Sequence, residues 1–158
     1  KPGIPLIIEP HLPRTYLDGA AILVDADRPI IGLTIRYDRI DYFWYCLMHE
    51  LAHIARHLNA GVSCFFDDLD VEEQGNAREE EADELAKEAL IPNEVWQESP
   101  AKTYRSPEAA EHLAKKLGIH PAIVAGRMRH EANNYRILKQ LVGHRQVRRL
   151  FGVTEPQG

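Results

Sequence analysis

The feature that most constrains this chain is a histidine-glutamate-x-x-histidine motif, which is formed by His49, Glu50 and His53. Residues four apart lie on the same face of an α-helix, one turn from each other. Both imidazoles can therefore reach one metal ion if this segment is helical. Glu50 is rotated by about 100° from His49 on such a helix, so it lies beside the ion. There it can accept a proton from a water molecule.

The residues around the motif predict a helix over residues 42–58, with Asp41 as its N-terminal cap. On a helical wheel, one arc without polar residues contains Phe43, Trp44, Leu47, Met48, Leu51, Ile54, Ala55 and Leu58. The histidines lie on the opposite side of the wheel. We therefore expect the helix to bury its apolar face and to present the histidines to a cleft. The alternative, an exposed charged helix, does not require such an arc.

A second helix, predicted over residues 76–90, offers a third ligand, because a catalytic zinc ion usually has three protein ligands and one open position. Its apolar arc contains Ala82, Leu85, Ala86, Ala89 and Leu90. Glu79 and Asp83 border this arc, and a carboxylate there is unfavourable unless it is paired or binds a metal. We predict Glu79 as the third ligand and Asp83 as the partner of a ligand imidazole. A solvated face is predicted for Glu80, Glu81, Glu84 and Glu88.

The N-terminal third predicts a small sheet. Short apolar or β-branched runs at residues 4–9, 20–24 and 30–35 are typical of strands. The second and third runs flank a turn-rich link and predict a hairpin, whereas the first has proline at its edges. Residues 59–75 are predicted to form a loop.

The C-terminal part predicts helices. Pro107 and Pro121 each stand at a first helical position and predict helices over 107–117 and 121–131. Gly118 is predicted to end the first of these helices. A final helix is predicted over residues 134–142, and residues 92–105 are predicted to be irregular. Together with the N-terminal sheet, these elements predict an α+β fold.

Charge is distributed unevenly along the chain. Residues 1–100 carry 8 Lys and Arg against 20 Asp and Glu, whereas residues 101–158 carry 11 against 4. The basic part can therefore meet nucleic acid or the protein's own acidic face. Two helices joined at Gly118 resemble a helix-turn-helix, and phosphate contacts are open to Arg127, Arg129, Arg145, Arg148 and Arg149. We favour the alternative, a helical pair that packs on the core and has a solvated basic face.

Cysteine content and hydropathy indicate the compartment. Cys46 and Cys64 do not form a disulfide framework, no apolar run reaches membrane-spanning length, and the first residues do not form a signal peptide. We therefore expect a cytoplasmic protein that does not bind a membrane. The chain also starts as if in the middle of a longer protein. We expect both thiols to be buried small hydrophobes, although a thiol that keeps the zinc latent is an alternative.

These residues resemble the ImmA/IrrE family of metallo-endopeptidases. The resemblance rests on three segments: His49-Glu50-Leu51-Ala52-His53, Glu79-Glu80-Glu81-Ala82-Asp83 and Leu90-Ile91-Pro92. It covers residues 4–92 well and residues 106–150 more loosely. Leu85 departs from the family pattern, which usually has phenylalanine there. The resemblance implies the zinc site of the gluzincin group, with the same roles for these residues as predicted above.

For the fold, the resemblance implies a zincin-like core over residues 1–100, in which a small antiparallel or mixed sheet packs on the two site helices. Residues 101–158 would form a basic helical subdomain packed on that core. For the function, it implies a Zn²⁺-dependent endopeptidase that cleaves a helix-turn-helix repressor or an antitoxin. The repressor would be fused to the peptidase or encoded beside it, in transcription regulation or in a toxin–antitoxin system.

Two questions stay open from the sequence. An oxyanion-stabilising partner is expected, and the sequence does not rank the candidates, which are Tyr42, His57, His112 and His130. The second question is the class of function, because a non-proteolytic regulator can use the same fold to bind a protein or DNA. The complete motif and Glu79 favour the peptidase.

Overall fold

The structure is a computed structural model, and it describes residues 3–11, 14, 16–25, 28–58, 63–66 and 76–153. Within these residues, four strands form a mixed sheet in the order β1-β3-β2-β4. The strands are β1 (Leu6–Ile8), β2 (Gly19–Asp25), β3 (Arg28–Leu33) and β4 (Cys64–Phe66). β2 and β3 form the predicted antiparallel hairpin, β1 pairs parallel to β3, and β4 pairs antiparallel to β2.

Strand β4 corrects the prediction of a loop over residues 59–75. Cys64 pairs with Ile22 of β2, and the backbone N–H of Leu23 donates to Ser63 O at 2.7 Å. A strand of three residues is too short to produce an alternating pattern. This segment forms a strand because it pairs with β2. The remainder of the predicted loop lies outside the described residues.

Helix α1 (Ile40–Arg56) carries the motif and packs on the sheet. Partly buried apolar side chains of α1 contact buried Ile31 and Leu33 of β3, and they include Phe43, Leu47, Leu51 and Ile54. Trp44 and Ala55, which were predicted on the buried arc, are exposed. The sheet therefore contacts only part of that arc.

The predicted cap at Asp41 is wrong. The helix begins at Ile40 after Arg39, which makes no side-chain cap. The Asp41 carboxylate lies in the first turn and accepts from Arg39 Nε at 2.9 Å and from Nη2 at 2.8 Å. It still favours the helix, because negative charge in the first turn complements the helix dipole.

Helix α2 (Asn76–Leu90) has the predicted limits and packs against α1. Ala82 and Ala86 are completely buried. Because alanine has a minimal side chain, the backbones of the two helices can approach closely along this line. This packing directs the first turn of α2 towards the histidines of α1.

Two short helices replace the predicted irregular segment over residues 92–105. They are α3 (Asn93–Glu98) and α4 (Pro100–Thr103). Trp96 anchors α3, since it is only 1% exposed. The Ser99 side chain caps α4 by accepting from Ala101 N at 3.1 Å, a cap that was not predicted from the sequence.

Helices α5 (Pro107–Leu117) and α6 (Pro121–Glu131) are confirmed, and Gly118 adopts the left-handed conformation that ends α5. The predicted helix over residues 134–142 is wrong, because this segment consists of turns. Positive φ angles at Asn133 and Leu138, 44° and 52°, interrupt any helical run there.

A second apolar core lies around α5 and α6. Its buried members include Ile91, Trp96, Leu113, Val124, Met128 and Val142. Helix α6 also packs closely on α1, because a Cβ atom at Gly126 would lie only 2.8 Å from Asp41 Cβ.

None of the helices in the described ranges is long and apolar enough to cross a lipid bilayer. The α+β class is confirmed. The predicted division of the chain into a core over residues 1–100 and a subdomain over residues 101–158 stays a prediction.

Candidate metal centre

Side chains from α1 and α2 converge at one point. His49, His53 and Glu79 each contribute one atom to a group whose members lie within 4.8 Å of one another. Glu79 Oε2 lies 3.0 Å from His49 Nε2 and 3.3 Å from His53 Nε2. The two Nε2 atoms are 2.9 Å apart. The structure thus brings together the three side chains predicted as ligands.

The spacing of these three atoms fits a zinc ion. Nitrogen and oxygen ligands lie about 2.0–2.1 Å from tetrahedral zinc, so two of them are separated by about 3.3 Å. The observed separations of the Glu79, His49 and His53 atoms range from 2.9 to 3.3 Å. Two imidazoles and one carboxylate are also a ligand set of catalytic zinc sites.

The imidazoles are more deeply buried than the sequence predicted. His49 is 5% exposed and His53 is 1% exposed, because α2 packs over this face of α1. The side chain of Glu79 is 35% exposed. Access from solvent is therefore open at the Glu79 side, and the two histidines form the interior of the site.

Asp83, one turn after Glu79, orients His49. Asp83 Oδ1 lies 2.9 Å from His49 Nδ1, and it also accepts the hydroxyl proton of Tyr45. If Nδ1 donates this hydrogen bond, the lone pair of His49 Nε2 points towards Glu79. Burial alone would raise the pKa of Asp83, but the bonds with His49 and Tyr45 outweigh it and lower that pKa. Asp83 therefore stays a carboxylate and accepts both bonds.

His57 has the corresponding position beside His53. His57 Nδ1 lies 3.0 Å from His53 Nδ1, and His57 Nε2 lies 3.3 Å from Glu81 Oε2. One proton arrangement satisfies both contacts: His53 Nδ1–H donates to His57, and His57 Nε2–H donates to Glu81. The lone pair of His53 Nε2 then points towards the site. Glu81 is exposed, as predicted for the solvated face, and its carboxylate also contacts the buried His57.

The His57→Ala variant is expected to bind zinc 10–100-fold more weakly, which is about the usual loss for an outer-shell partner. Without His57, the Nδ1 proton of buried His53 loses its acceptor, and the ring can rotate. Competition with a chromophoric chelator measures the dissociation constant. His112→Ala is the control, because His112 is exposed on α5. Equal zinc affinities for the two variants would contradict a positioning role for His57.

The Glu79 carboxylate has an unusually low pKa. Burial alone would raise it, but hydrogen bonds and charge interactions with His49 and His53 lower it to about 2. Glu79 is therefore ionised at neutral pH. A cation between these atoms finds one full negative charge together with two imidazole lone pairs.

Glu50 lies in the interior, between α1 and the sheet. It is 1% exposed, and its carboxyl group approaches Gly19 of β2. A Cβ atom built on Gly19 would lie 2.9 Å from Glu50 Cδ and would overlap Oε1. The absence of a side chain at Gly19 therefore provides the space that the Glu50 carboxyl group occupies.

The Gly19→Ala variant is expected to displace the Glu50 carboxyl group. For the proton transfer that the motif predicts for Glu50, this displacement is expected to lower the rate at least about tenfold. Overpacking of this kind also costs about 1–3 kcal/mol of stability. Gly32→Ala is the matched control, since Gly32 pairs with Ala20 in the same sheet and its added Cβ meets no atom within 4 Å. Cleavage rate, zinc content and thermal midpoint are measured for both. Full activity of Gly19→Ala would disprove this packing constraint.

The four oxyanion candidates have different surroundings. Tyr42 donates its hydroxyl proton to Asp18 Oδ2 at 2.7 Å, and burial, followed by Cys46 and Asp18, raises its pKa. His112 is exposed on α5, and His57 contacts His53 as described. Tyr42 and His130 line one cavity between α1, α2 and α6. No one of the four is thereby identified as the oxyanion partner.

Tyr45 and Gly19 were missed as site residues. The signal for Tyr45 was present in the sequence, because Tyr45, His49, His53 and His57 follow each other at intervals of four and form one stripe on α1. The signal for Gly19 was absent, since its proximity to Glu50 depends on how β2 packs on α1.

Three of the five arginines considered as phosphate contacts bind the protein itself. Arg127 donates to Ile91 O at 2.7 Å, Arg129 is only 3% exposed, and Arg148 donates to Ile35 O and Arg36 O. Most of α6 is also buried. These contacts agree with the favoured alternative, in which the helical pair packs on the core.

The chain matches a protein-family model over most of its length. A peptidase family model described as the IrrE N-terminal-like domain matches residues 19–155. The match includes strands β2–β4, both site helices and the C-terminal helices. No curated protein matches the chain.

Proposed function

Because the chain belongs to the ImmA/IrrE family of metallopeptidases, we propose that it is a zinc-dependent endopeptidase. The resemblance that the motifs predicted is confirmed. The observation that carries the proposal is the convergence of His49, His53 and Glu79 within 4.8 Å, with Glu50 buried in the same turn of α1 as His49. A structural role alone does not require this combination of an open ligand set and an adjacent buried carboxylate.

The proposed ligands are His49 Nε2, His53 Nε2 and Glu79 Oε2. A neighbouring side chain orients each of the two imidazoles. When bound, zinc supplies Lewis acidity that polarises a carbonyl group and lowers the pKa of a water molecule. Asp83 and His57 keep the two imidazoles in the tautomer that offers Nε2. Glu79 contributes the negative charge and lies at the solvent-accessible side of the site.

Glu50 is proposed as the general base and then the general acid. It takes a proton from the attacking water molecule and delivers it to the nitrogen of the leaving amine. It follows His49 directly in α1, so both side chains are positioned by the same rigid helical turn. Its burial excludes bulk water, which strengthens electrostatic interactions at this position.

The proposed substrate is a helix-turn-helix repressor or an antitoxin, encoded beside the peptidase or fused to it. Membership of the family supports this substrate class. Cleavage of such a regulator would release transcription or free a toxin. The proposed compartment is the cytoplasm, where both the regulator and its DNA are present.

The test uses the zinc-loaded protein and a helix-turn-helix protein encoded beside its gene. We expect cleavage at one or a few bonds, identified by mass spectrometry, that stops with a chelator and returns with added zinc. A non-proteolytic regulator would instead bind the same protein without cutting it. Binding without cleavage by the zinc-loaded protein would refute the peptidase proposal.

A further inference from the structure

We propose that the cavity between α1, α2 and α6 is a substrate subsite that binds a carboxylate near the scissile peptide bond. This inference rests on the proposed peptidase function. The cavity has a volume of about 880 Å³, and we call it the interhelix cavity. Its wall has four tyrosines, namely Tyr37, Tyr42, Tyr45 and Tyr135, and four basic side chains, namely Arg39, Lys87, Arg127 and His130.

The interhelix cavity begins next to the candidate metal centre. Tyr45 lines it and also donates to Asp83, the partner of His49. Tyr45 precedes His49 by one turn of α1, and Lys87 follows Asp83 by one turn of α2, a distance of about 6 Å along each axis. Because an extended peptide advances about 3.3 Å per residue, a side chain two to four residues from the scissile bond reaches this cavity.

The size and surface of the cavity suit part of a peptide. Volumes of about 300–1,000 Å³ are typical of ligand sites. Apolar surface comes from Leu90, Ile91 and Ile123, whereas tyrosines and basic groups supply hydrogen-bond donors. A peptide segment with aliphatic stems and one anionic group matches this mixture.

The carboxylates in the wall are already bound to cations or donors. Asp41 is shared by Arg39 at 2.8 Å and Arg129 at 3.7 Å. Glu131 accepts from Arg127 and from Trp96 Nε1. These carboxylates therefore do not offer a binding position for a cationic side chain.

Glu84 pairs with Lys87 at 2.8 Å, but its side chain is 76% exposed, whereas that of Lys87 is 29% exposed. A surface pair of this kind is weak and easily exchanged. Lys87 can therefore turn from Glu84 to a carboxylate in the cavity at little cost.

Arg129 adds positive charge directly behind the wall. It is 3% exposed, and Nη2 donates to Tyr135 O at 2.5 Å. Within the described part of the chain, its Nε and Nη1 atoms have no hydrogen-bond partner. Burial and nearby Arg39 lower the pKa of Arg129, so this charge is costly where it lies. An anion in the cavity would relieve that cost.

The charges around the cavity consequently have a positive excess. In the wall, three cations are matched by three carboxylates, namely Asp41, Glu84 and Glu131. The excess positive charge is that of Arg129, which lies behind the wall and shares Asp41 with Arg39. The carboxylate that fits this excess is either an Asp or Glu side chain or the C-terminal carboxylate of a peptide. Both have the same recognition chemistry, and suitable probes separate them.

The first test profiles cleavage of a peptide library by wild type and two charge-reversal variants. Lys87→Glu changes the cavity, and Lys116→Glu is the matched control, since both lysines lie in the last turn of their helices. We expect wild type and Lys116→Glu to favour an acidic group within four residues of the cut. Lys87→Glu is expected to reduce this preference about tenfold, as reversal of one nearby charge predicts.

The second test measures binding without cleavage, using zinc-loaded Glu50→Gln protein and NMR of the tyrosine and histidine rings. N-acetylglutamate methylamide carries only the side-chain carboxylate, N-acetylalanine only the terminal one, and N-acetylglutamine methylamide neither. We expect ring shifts at the cavity with one of the first two probes but not with the third. The perturbing probe identifies the source of the carboxylate.

The two tests separate this inference from the peptidase proposal. Cleavage without acidic preference, or an equal preference in Lys87→Glu and Lys116→Glu, would overturn the carboxylate subsite but leave the peptidase intact. Absence of any cleavage would refute the peptidase proposal. The NMR probes would then show by themselves whether the cavity binds a carboxylate. Equal responses to the glutamate and glutamine probes, without a response to N-acetylalanine, would also overturn the carboxylate subsite.

Discussion

The Glu50→Gln variant is expected to lose peptide-bond cleavage by about 10²–10⁴-fold, the usual contribution of a general acid–base group. Glutamine has nearly the same shape as glutamate, so it can occupy the space beside Gly19. It cannot accept the proton of the attacking water molecule. Because Glu50 is not one of the three converging ligand residues, we expect the zinc content to stay that of wild type.

The measurement compares cleavage rates at saturating substrate, zinc per chain and thermal midpoints. Glu80→Gln is the control, since Glu80 is exposed on α2 and undergoes the same chemical change. We expect Glu80→Gln to equal wild type in all three. Cleavage by Glu50→Gln at the wild-type rate, with normal zinc content, would show that another group transfers the proton.

The Glu79→Gln variant is expected to weaken zinc binding by more than about 100-fold, since loss of a mere outer-shell partner already costs 10–100-fold. The substitution removes the only negative charge among the three proposed ligands. Two neutral imidazoles, His49 and His53, would then hold the ion with a weak amide oxygen. Loss of zinc also removes peptidase activity, so both readouts fall together.

Glu80→Gln again provides the comparison, because it changes the adjacent residue of the same helical turn. The dissociation constants of wild type and both variants are measured against a chelator of known affinity, at neutral pH, where the low pKa of Glu79 keeps it ionised. Equal affinities for Glu79→Gln and Glu80→Gln would remove Glu79 from the ligand set.

Much of the fold around the site could be predicted from helical periodicity. The apolar arcs of α1 and α2 are long enough to identify both helices, and the wheel of α2 placed Glu79 and Asp83 beside its buried alanines. Gly118 marked the end of α5, because glycine adopts the left-handed conformation without strain. These features depend on local sequence alone.

The parts that were missed depend on tertiary contacts or on very short elements. Strand β4 has three residues, and its pairing with β2 determines it. Leu138 adopts a left-handed conformation with a φ of 52°, which no sequence pattern indicates for leucine. The burial of the histidines followed from the packing of α2 over α1, whereas the wheel alone predicted an open cleft.

The surroundings of the ligands were predictable in part. Asp83 was identified because it lies one turn after Glu79, and His57 was considered for a different role although it lies one turn after His53. Its contact with Glu81 requires that α1 and α2 meet at one particular rotation. Sequence spacing specifies which residues share a helix face, but it does not specify which residue of another helix lies opposite.

The most direct measurement of the proposed centre is X-ray absorption at the zinc edge, on protein loaded with one zinc ion per chain. We predict nitrogen and oxygen scatterers at about 2.0–2.1 Å, with the multiple-scattering signature of two imidazoles, and no sulfur at about 2.3 Å. Glu79→Gln should alter this spectrum or lose the zinc ion altogether. A sulfur shell from Cys46 or Cys64, or a spectrum identical in wild type and Glu79→Gln, would contradict the site described here.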